Sequence, residues 1–158
     1  MFMLKKYLCD QMCSLLGRYL RAAGYDAVII DCPMDDRSIF QMAVKDQRKL
    51  LTRDKFLKNM DSDGETIVLL KGGSLDEWAD QLKNEEGVDW VYRPFTRCLD
   101  CNCIFEKGSS TDAPVSVRER ISEFWICPQC KKTFWLGSHT DRMLKKLKEW
   151  QTRIKKNI

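Results

Sequence analysis

Two pairs of cysteines carry the most specific chemistry in this chain. Cys98 and Cys101 form one CxxC pair and Cys127 and Cys130 form another, with 25 residues between them. Each pair offers two thiolates from one tight turn, and two such turns complete a tetrahedral four-cysteine site for zinc. A four-ligand zinc site is closed, so it holds structure and leaves no position for a reacting water. A redox-active dithiol is the competing reading, but it accounts for one pair and not two. Cys103 follows the first pair as a spare thiol assigned to packing. Cys9, Cys13 and Cys32 fall in or beside apolar runs and read as small buried hydrophobes.

Three carboxylates form the second constellation. Asp10 ends the run Tyr7-Leu8-Cys9, Asp36 opens a helical pattern, and Asp54 follows Leu50-Leu51-Thr52. Clustered carboxylates repel one another unless a cation neutralises them, and their oxygens suit hard Mg²⁺ or Mn²⁺. A water on such an ion is a better nucleophile, and the ion screens charge building on phosphorus. Each acid also has an ordinary use: Asp36 as a helix cap, Asp54 as a strand end, Asp10 in a turn.

Basic residues form the third. Residues 97–158 hold 13 Lys/Arg against 7 Asp/Glu, whereas residues 1–96 hold 14 against 16. A basic half joined to an acidic half suggests a polyanion handle beside metal chemistry, or simply an unevenly charged surface. Lys131 and Lys132 precede Phe134 and Trp135, a mixture able to bind phosphate and stack on unpaired bases. Those two rings serve equally well to pack a small module. His139, the single histidine, sits at a predicted helix N-terminus with Arg142 close by, where phosphate is favoured. Ser138 and Asp141 are expected to cap that helix. Arg18, Arg21 and Arg53 are further candidate phosphate contacts.

The elements that must position these groups follow from periodicity. Strands are expected at Leu4–Cys9, Ala27–Ile30, Leu50–Thr52 and Thr66–Leu70. Helices are expected at Met12–Ala23, with Met12, Leu15, Leu16, Tyr19, Leu20 and Ala23 inward, after Asp35 or Asp36, and after Ser74. Gly24 is a plausible C′ residue. This β-α-β-α-β-β-α order predicts a mainly parallel sheet covered by helices, with the acids at its carboxyl edge, where open α/β sheets bind ligands. The rhythm breaks near Val91–Arg97. After Gly137 a last helix carries one apolar stripe, Met143, Leu147, Trp150 and Ile154, among many Lys and Arg.

Hydrophobic content of 44% and charged content of 32% fit a globular chain and argue against disorder. No apolar run is long enough to span a bilayer, so no membrane partner is expected. MFMLKKYLCD meets charge after four residues and lacks a signal-peptide core, which places the protein in the cytoplasm as an expectation. Eight cysteines in a reducing compartment read as metal ligands or buried thiols.

LCDQM at 8–12, RYLRAAGYD at 18–26, DDRSIFQMA at 35–43, LLTRD at 50–54, RCLDCN at 97–102, FWICPQC at 124–130 and FWLGSHTDRM at 134–143 together resemble the Mut-seven C-terminal ribonuclease domain family. The resemblance implies a PIN-like nuclease domain over 1–92, a zinc ribbon over 93–137 and a basic amphipathic helix over 138–158. It implies a ribonuclease with Asp10, Asp36 and Asp54 as acidic ligands of catalytic Mg²⁺ or Mn²⁺, and Cys98, Cys101, Cys127 and Cys130 as ligands of structural zinc. Two departures stand out. Cys13-Ser14-Leu15 replaces the family's usual Leu-Gly-Arg step, and Lys55-Phe56 stands where PIN sites often add a fourth acid, for which Asp35, Asp61 or Asp63 can substitute. The alternative is an RNA-binding or adaptor module with a degenerate nuclease site.

Overall fold

The computed structural model describes residues 3–154. Four short strands, β1 (Tyr7–Cys9), β2 (Ala27–Ile29), β3 (Lys49–Thr52) and β4 (Ile67–Leu69), form one sheet in the order β2-β1-β3-β4. All three pairings are parallel, with Leu8 opposite Val28 and Leu50, and Leu51 opposite Val68. Parallel strands need crossovers, and helices supply them. These are α1 (Ser14–Ala23), α2 (Asp36–Lys45) and α3 (Lys55–Lys58); α4 (Leu75–Gln81) follows the last strand.

Both faces of the sheet are covered, which explains why the strands read as unbroken apolar runs. Tyr7, Cys9, Leu51 and Val68 point to the face covered by α1 and α4. Leu8, Leu50 and Ile67 point the other way, onto Ile39, Ala43 and Leu57. Alternation along the strand therefore divides one apolar run between two cores.

The helix boundaries have local causes. Asp35, not Asp36, caps α2, accepting from the Ser38 amide at 3.0 Å. Ser74 and Glu77 form a capping box on α4, which runs on into a wider turn at Leu82–Glu86. Gly24 ends α1 with φ of +103°, and the Arg93 backbone lies where a Cβ would go, so only glycine fits. The helix expected at Met12–Ala23 begins instead as a 3₁₀ turn, Gln11–Cys13. As a result Met12 and Leu15 are 66% and 54% exposed, off the buried face assigned to them. Cys32 is likewise exposed, in the turn after β2, whereas Cys9 and Cys13 are buried as expected.

The second half carries a three-stranded antiparallel sheet, β5 (Glu106–Lys107), β6 (Trp125–Ile126) and β7 (Thr133–Phe134), with a short helix α5 (Val115–Arg118) in the polar excursion. The last helix, α6 (Ser138–Thr152), returns to the first core. Leu147 and Trp150 are fully buried there, and Trp150 packs on Tyr19 and Trp90 at 4.8 and 4.9 Å. The Trp150 indole N–H donates to Asp76 at 2.8 Å, and Lys146 and Arg153 pair with Asp76. Helix α6 is thus part of the main body.

Two expectations about this helix change. Its N-terminus is closed by Thr140, whose hydroxyl accepts from the Gly137 amide at 2.8 Å, not by Ser138 with Asp141. Ile154 lies past the helix end and is 90% exposed, so the apolar stripe stops at Trp150. The final lysines, Lys155 and Lys156, lie outside the described residues, as does the expected helix end at 158.

Candidate active site and metal centre

The parallel order delivers the ends of β1 and β3 side by side, so Asp10 and Asp54 leave the same carboxyl edge. Thr52 ties them together. It is fully buried; its hydroxyl donates to Asp10 Oδ2 at 3.0 Å and accepts from the Asp54 amide at 3.0 Å. The Gln11 amide donates to Asp10 Oδ1 and the Phe56 amide to Asp54 Oδ1, each at 2.8 Å. Both carboxylates are therefore held in place by backbone donors, Asp10 capping the turn at Gln11–Cys13 and Asp54 capping α3. Sequence reading did not assign Thr52 a role. Its signal was available: a polar β-branched residue ending an apolar run two positions before an acid.

Asp36 occupies the first turn of α2, at the same edge, and its side chain makes no hydrogen bond among the described residues. Asp35 and Asp61, expected as substitutes for a fourth acid, are engaged in local structure. Ser38 takes both oxygens of Asp35, and Asp61 accepts from the Thr66 and Ile67 amides and pairs with Lys58. Among the described residues, only the four cysteines bring three or more ligand atoms within 4.8 Å of one another, so the aspartates are more widely spread.

The cysteine site is built from two knuckles with the same hydrogen bonds. The Cys98 amide donates to the Cys103 carbonyl and the Asn102 amide to the Cys98 carbonyl, at 2.8 and 2.9 Å. The Cys127 amide donates to Lys132 and the Lys131 amide to Cys127, at 3.1 and 3.0 Å. Each loop closes through a left-handed residue, Asn102 at φ 66° and Lys131 at φ 62°. All four sulfurs of Cys98, Cys101, Cys127 and Cys130 fall within 4.8 Å of one another, with Cys98 and Cys130 at 3.9 Å. In the bare thiols, burial opposes ionisation of both Cys101 and Cys127: the neighbouring sulfurs add to it and push Cys101 up to about 12, whereas backbone N–H donors and the Cys130 and Cys98 sulfurs bring Cys127 down to about 7. A divalent cation reverses that logic and takes all four as thiolates. The donor set and its compactness fit zinc. Cys103 stays outside the group, with its S–H toward Gln129.

The basic residues divide into spent and free. Arg21 is buried and donates to the carbonyls of Ala27, Leu99 and Asp100, so it ties the cysteine loop to α1 and is not a phosphate contact. Arg18 and Lys132 both pair with Asp100 at 2.8 Å, and they hold its carboxyl down at about 2. Arg53 is exposed beside Asp54, with its guanidinium 5.2 Å from the Trp78 ring centre. Lys131, His139 and Arg142 are exposed and make no ion pair among the described residues. Phe134 stacks on Phe105 at 4.8 Å, so it serves packing as well as any surface role.

These features define a mixed α/β protein with a parallel sheet, an acidic carboxyl edge and an attached four-cysteine metal module. The chain belongs to the Mut7-C RNAse domain family, whose model matches residues 5–147. No curated protein and no solved structure matches it. Among the described residues, no helix is long and apolar enough to cross a membrane.

Proposed function

We propose that the chain is a metal-dependent ribonuclease of PIN-like fold that hydrolyses RNA phosphodiester bonds at Asp10, Asp36 and Asp54. The observation that carries this reading is the Thr52 bridge: one buried hydroxyl donates to the Asp10 carboxylate and accepts from the Asp54 backbone amide, tying the ends of two adjacent strands together at the ligand-binding edge of the sheet. The family match to a ribonuclease domain supplies the substrate class.

The donor set fits a hard cation. Asp10 and Asp54 keep lone pairs beyond those used within the chain, and Asp36 keeps all of its own. Mg²⁺ or Mn²⁺ bound there would supply an activated water and charge neutralisation at phosphorus. The protein's part is to orient Asp10 and Asp54, to bring Asp36 to the same edge, and to offer Arg53 to a neighbouring phosphate once it leaves Trp78. Arg18, Lys131, Lys132, His139 and Arg142 are the further candidate contacts for the strand.

The test is an RNase assay on zinc-loaded protein with and without Mn²⁺, beside Asp54→Asn. Activity should require the divalent ion and fall on the order of a hundredfold in the variant. Full, divalent-dependent cleavage by soluble Asp54→Asn would sink the assignment. One observation favours the second reading, an RNA-binding adaptor: the three aspartates are not gathered within 4.8 Å. RNA binding without cleavage under any divalent ion would put that reading first.

A further inference from the structure

At the other end of α1, away from the acidic edge, the two halves of the molecule enclose a cleft of about 350 Å³. Its walls include Tyr92, Phe105, Trp125 and Phe134, and its lining contains Arg93 and Arg97 but no carboxylate. Tyr92 is 40% exposed although aromatic, and Arg93 makes no ion pair among the described residues. The Arg93 guanidinium lies 6.0 Å from the Tyr92 ring centre, and the Lys107 ammonium 5.5 Å from that of Trp125. We propose that this cleft binds an unpaired base of a single-stranded RNA, with Tyr92 and Trp125 as stacking surfaces and Arg93 on the adjoining phosphate.

The cleft is held in shape before any ligand arrives. The Arg93 and Phe95 amides donate to the Ala23 and Ala22 carbonyls at 2.9 and 2.8 Å, and Arg93 presses on Gly24 where no side chain can intervene. Tyr92 leans on Tyr25 at 5.4 Å. Preorganised rings lose little freedom on binding, and every base has a face to stack. The volume is at the small end of ligand sites. It admits a base but not a helix about 10 Å across.

The charge pattern selects the occupant. Arg97 is committed to the Gly24 and Asn102 carbonyls, but Arg93 is exposed with no ion pair among the described residues; an apolar protein segment would not require that free cation, whereas a nucleotide presents a flat ring and a negative phosphate together. The path also fits. Residues 11–23 form one turn of 3₁₀ helix and ten residues of α-helix, which puts the cleft roughly 20 Å from Asp10. A strand crossing that distance over the surface, since residues 20–25 are themselves buried, would reach the acidic edge several nucleotides away. This placement rests on the reading that the chain acts on RNA, and it adds a second contact for the same strand.

The experiment is fluorescence anisotropy with an unstructured RNA of about ten nucleotides, within the usual span of single-strand sites. The protein is full-length and zinc-loaded, in EDTA-free buffer with Ca²⁺ so that binding is read apart from cleavage. Tyr92→Ala should weaken binding about tenfold, the loss of one stacked base, and Tyr92→Phe should restore it. An RNA carrying abasic positions should bind wild type and Tyr92→Ala alike. Equal affinity of wild type, Tyr92→Ala and Arg93→Gln for the intact RNA overturns the proposal. So does a change in self-association as the sole effect of Tyr92→Ala, which would assign the cleft to a protein contact. Cleavage with unaltered binding would leave the nuclease reading standing and remove this one; sensitive binding without cleavage would do the reverse.

Discussion

Replacing Thr52 by valine removes one oxygen and keeps the shape of a fully buried side chain. Two hydrogen bonds go with it, the one donated to Asp10 and the one accepted from the Asp54 amide, each 3.0 Å long. A lost bond to a charged group is worth about 1.5–3 kcal/mol, and an amide left without a partner costs about 1–3 kcal/mol. Asp10 and Asp54 are only half-buried, so water replaces part of both. The stability loss should therefore be small, about 1–2 kcal/mol. The effect on function should be larger, because a support that orients a metal ligand typically carries about 10–100-fold in affinity or activity. Urea unfolding, Mn²⁺ titration and RNA cleavage on the same preparation measure all three. Thr52→Ser, which keeps the hydroxyl, should recover most of the loss. Wild-type Mn²⁺ affinity and cleavage in folded Thr52→Val would refute the argument that this hydroxyl sets the site.

Metal analysis should find about one zinc per chain, and Cys127→Ser should lose it together with the native signals of residues 98–137; a well-folded, zinc-free protein with four free thiols would remove the zinc assignment. Asp26 binds Arg48 at 2.7 Å and accepts from Asn102 at 2.7 Å; burial opposes its charge, but these partners hold its pKa below the usual aspartate range. A carboxyl depressed by folding stabilises above its unfolded pKa and loses that contribution as pH falls, so Asp26→Asn should cost about 2 kcal/mol at pH 7. That difference should shrink below about pH 4; a constant gap across urea curves at both pH values would contradict it. Reversing Arg142, Lys145 and Lys148 on the outer face of α6 should weaken RNA binding and lower its salt slope by about 2, while an unchanged slope would assign those charges to solvent. Lys146 and Arg153 are unsuitable for that test because they dock the helix on Asp76.

The CxxC pairs were legible in the sequence because a knuckle is local: four residues fix two ligands, and spacing alone reveals the set. The same is true of the parallel sheet, since Leu8, Leu50 and Ile67 lie in short apolar runs that only a sheet buried on both faces uses. The Gly24 cap was legible too, as a glycine directly after a periodic stretch. Charge was the least legible feature. Arg21 and Arg53 look alike in sequence, but the fold aims Arg21 at the carbonyls of Leu99 and Asp100 and leaves Arg53 at the open edge. Asp35, Asp36 and Asp61 are equally acidic, yet Ser38 and the Thr66–Ile67 amides engage two of them, whereas the Asp36 side chain has no hydrogen bond among the described residues. Thr52 joins Asp10 across 42 positions, and the Tyr92–Trp125 cleft joins two halves of the chain. What a polar side chain does depends on which partners the packed chain brings within about 3 Å, and those partners come from distant segments that no local pattern records.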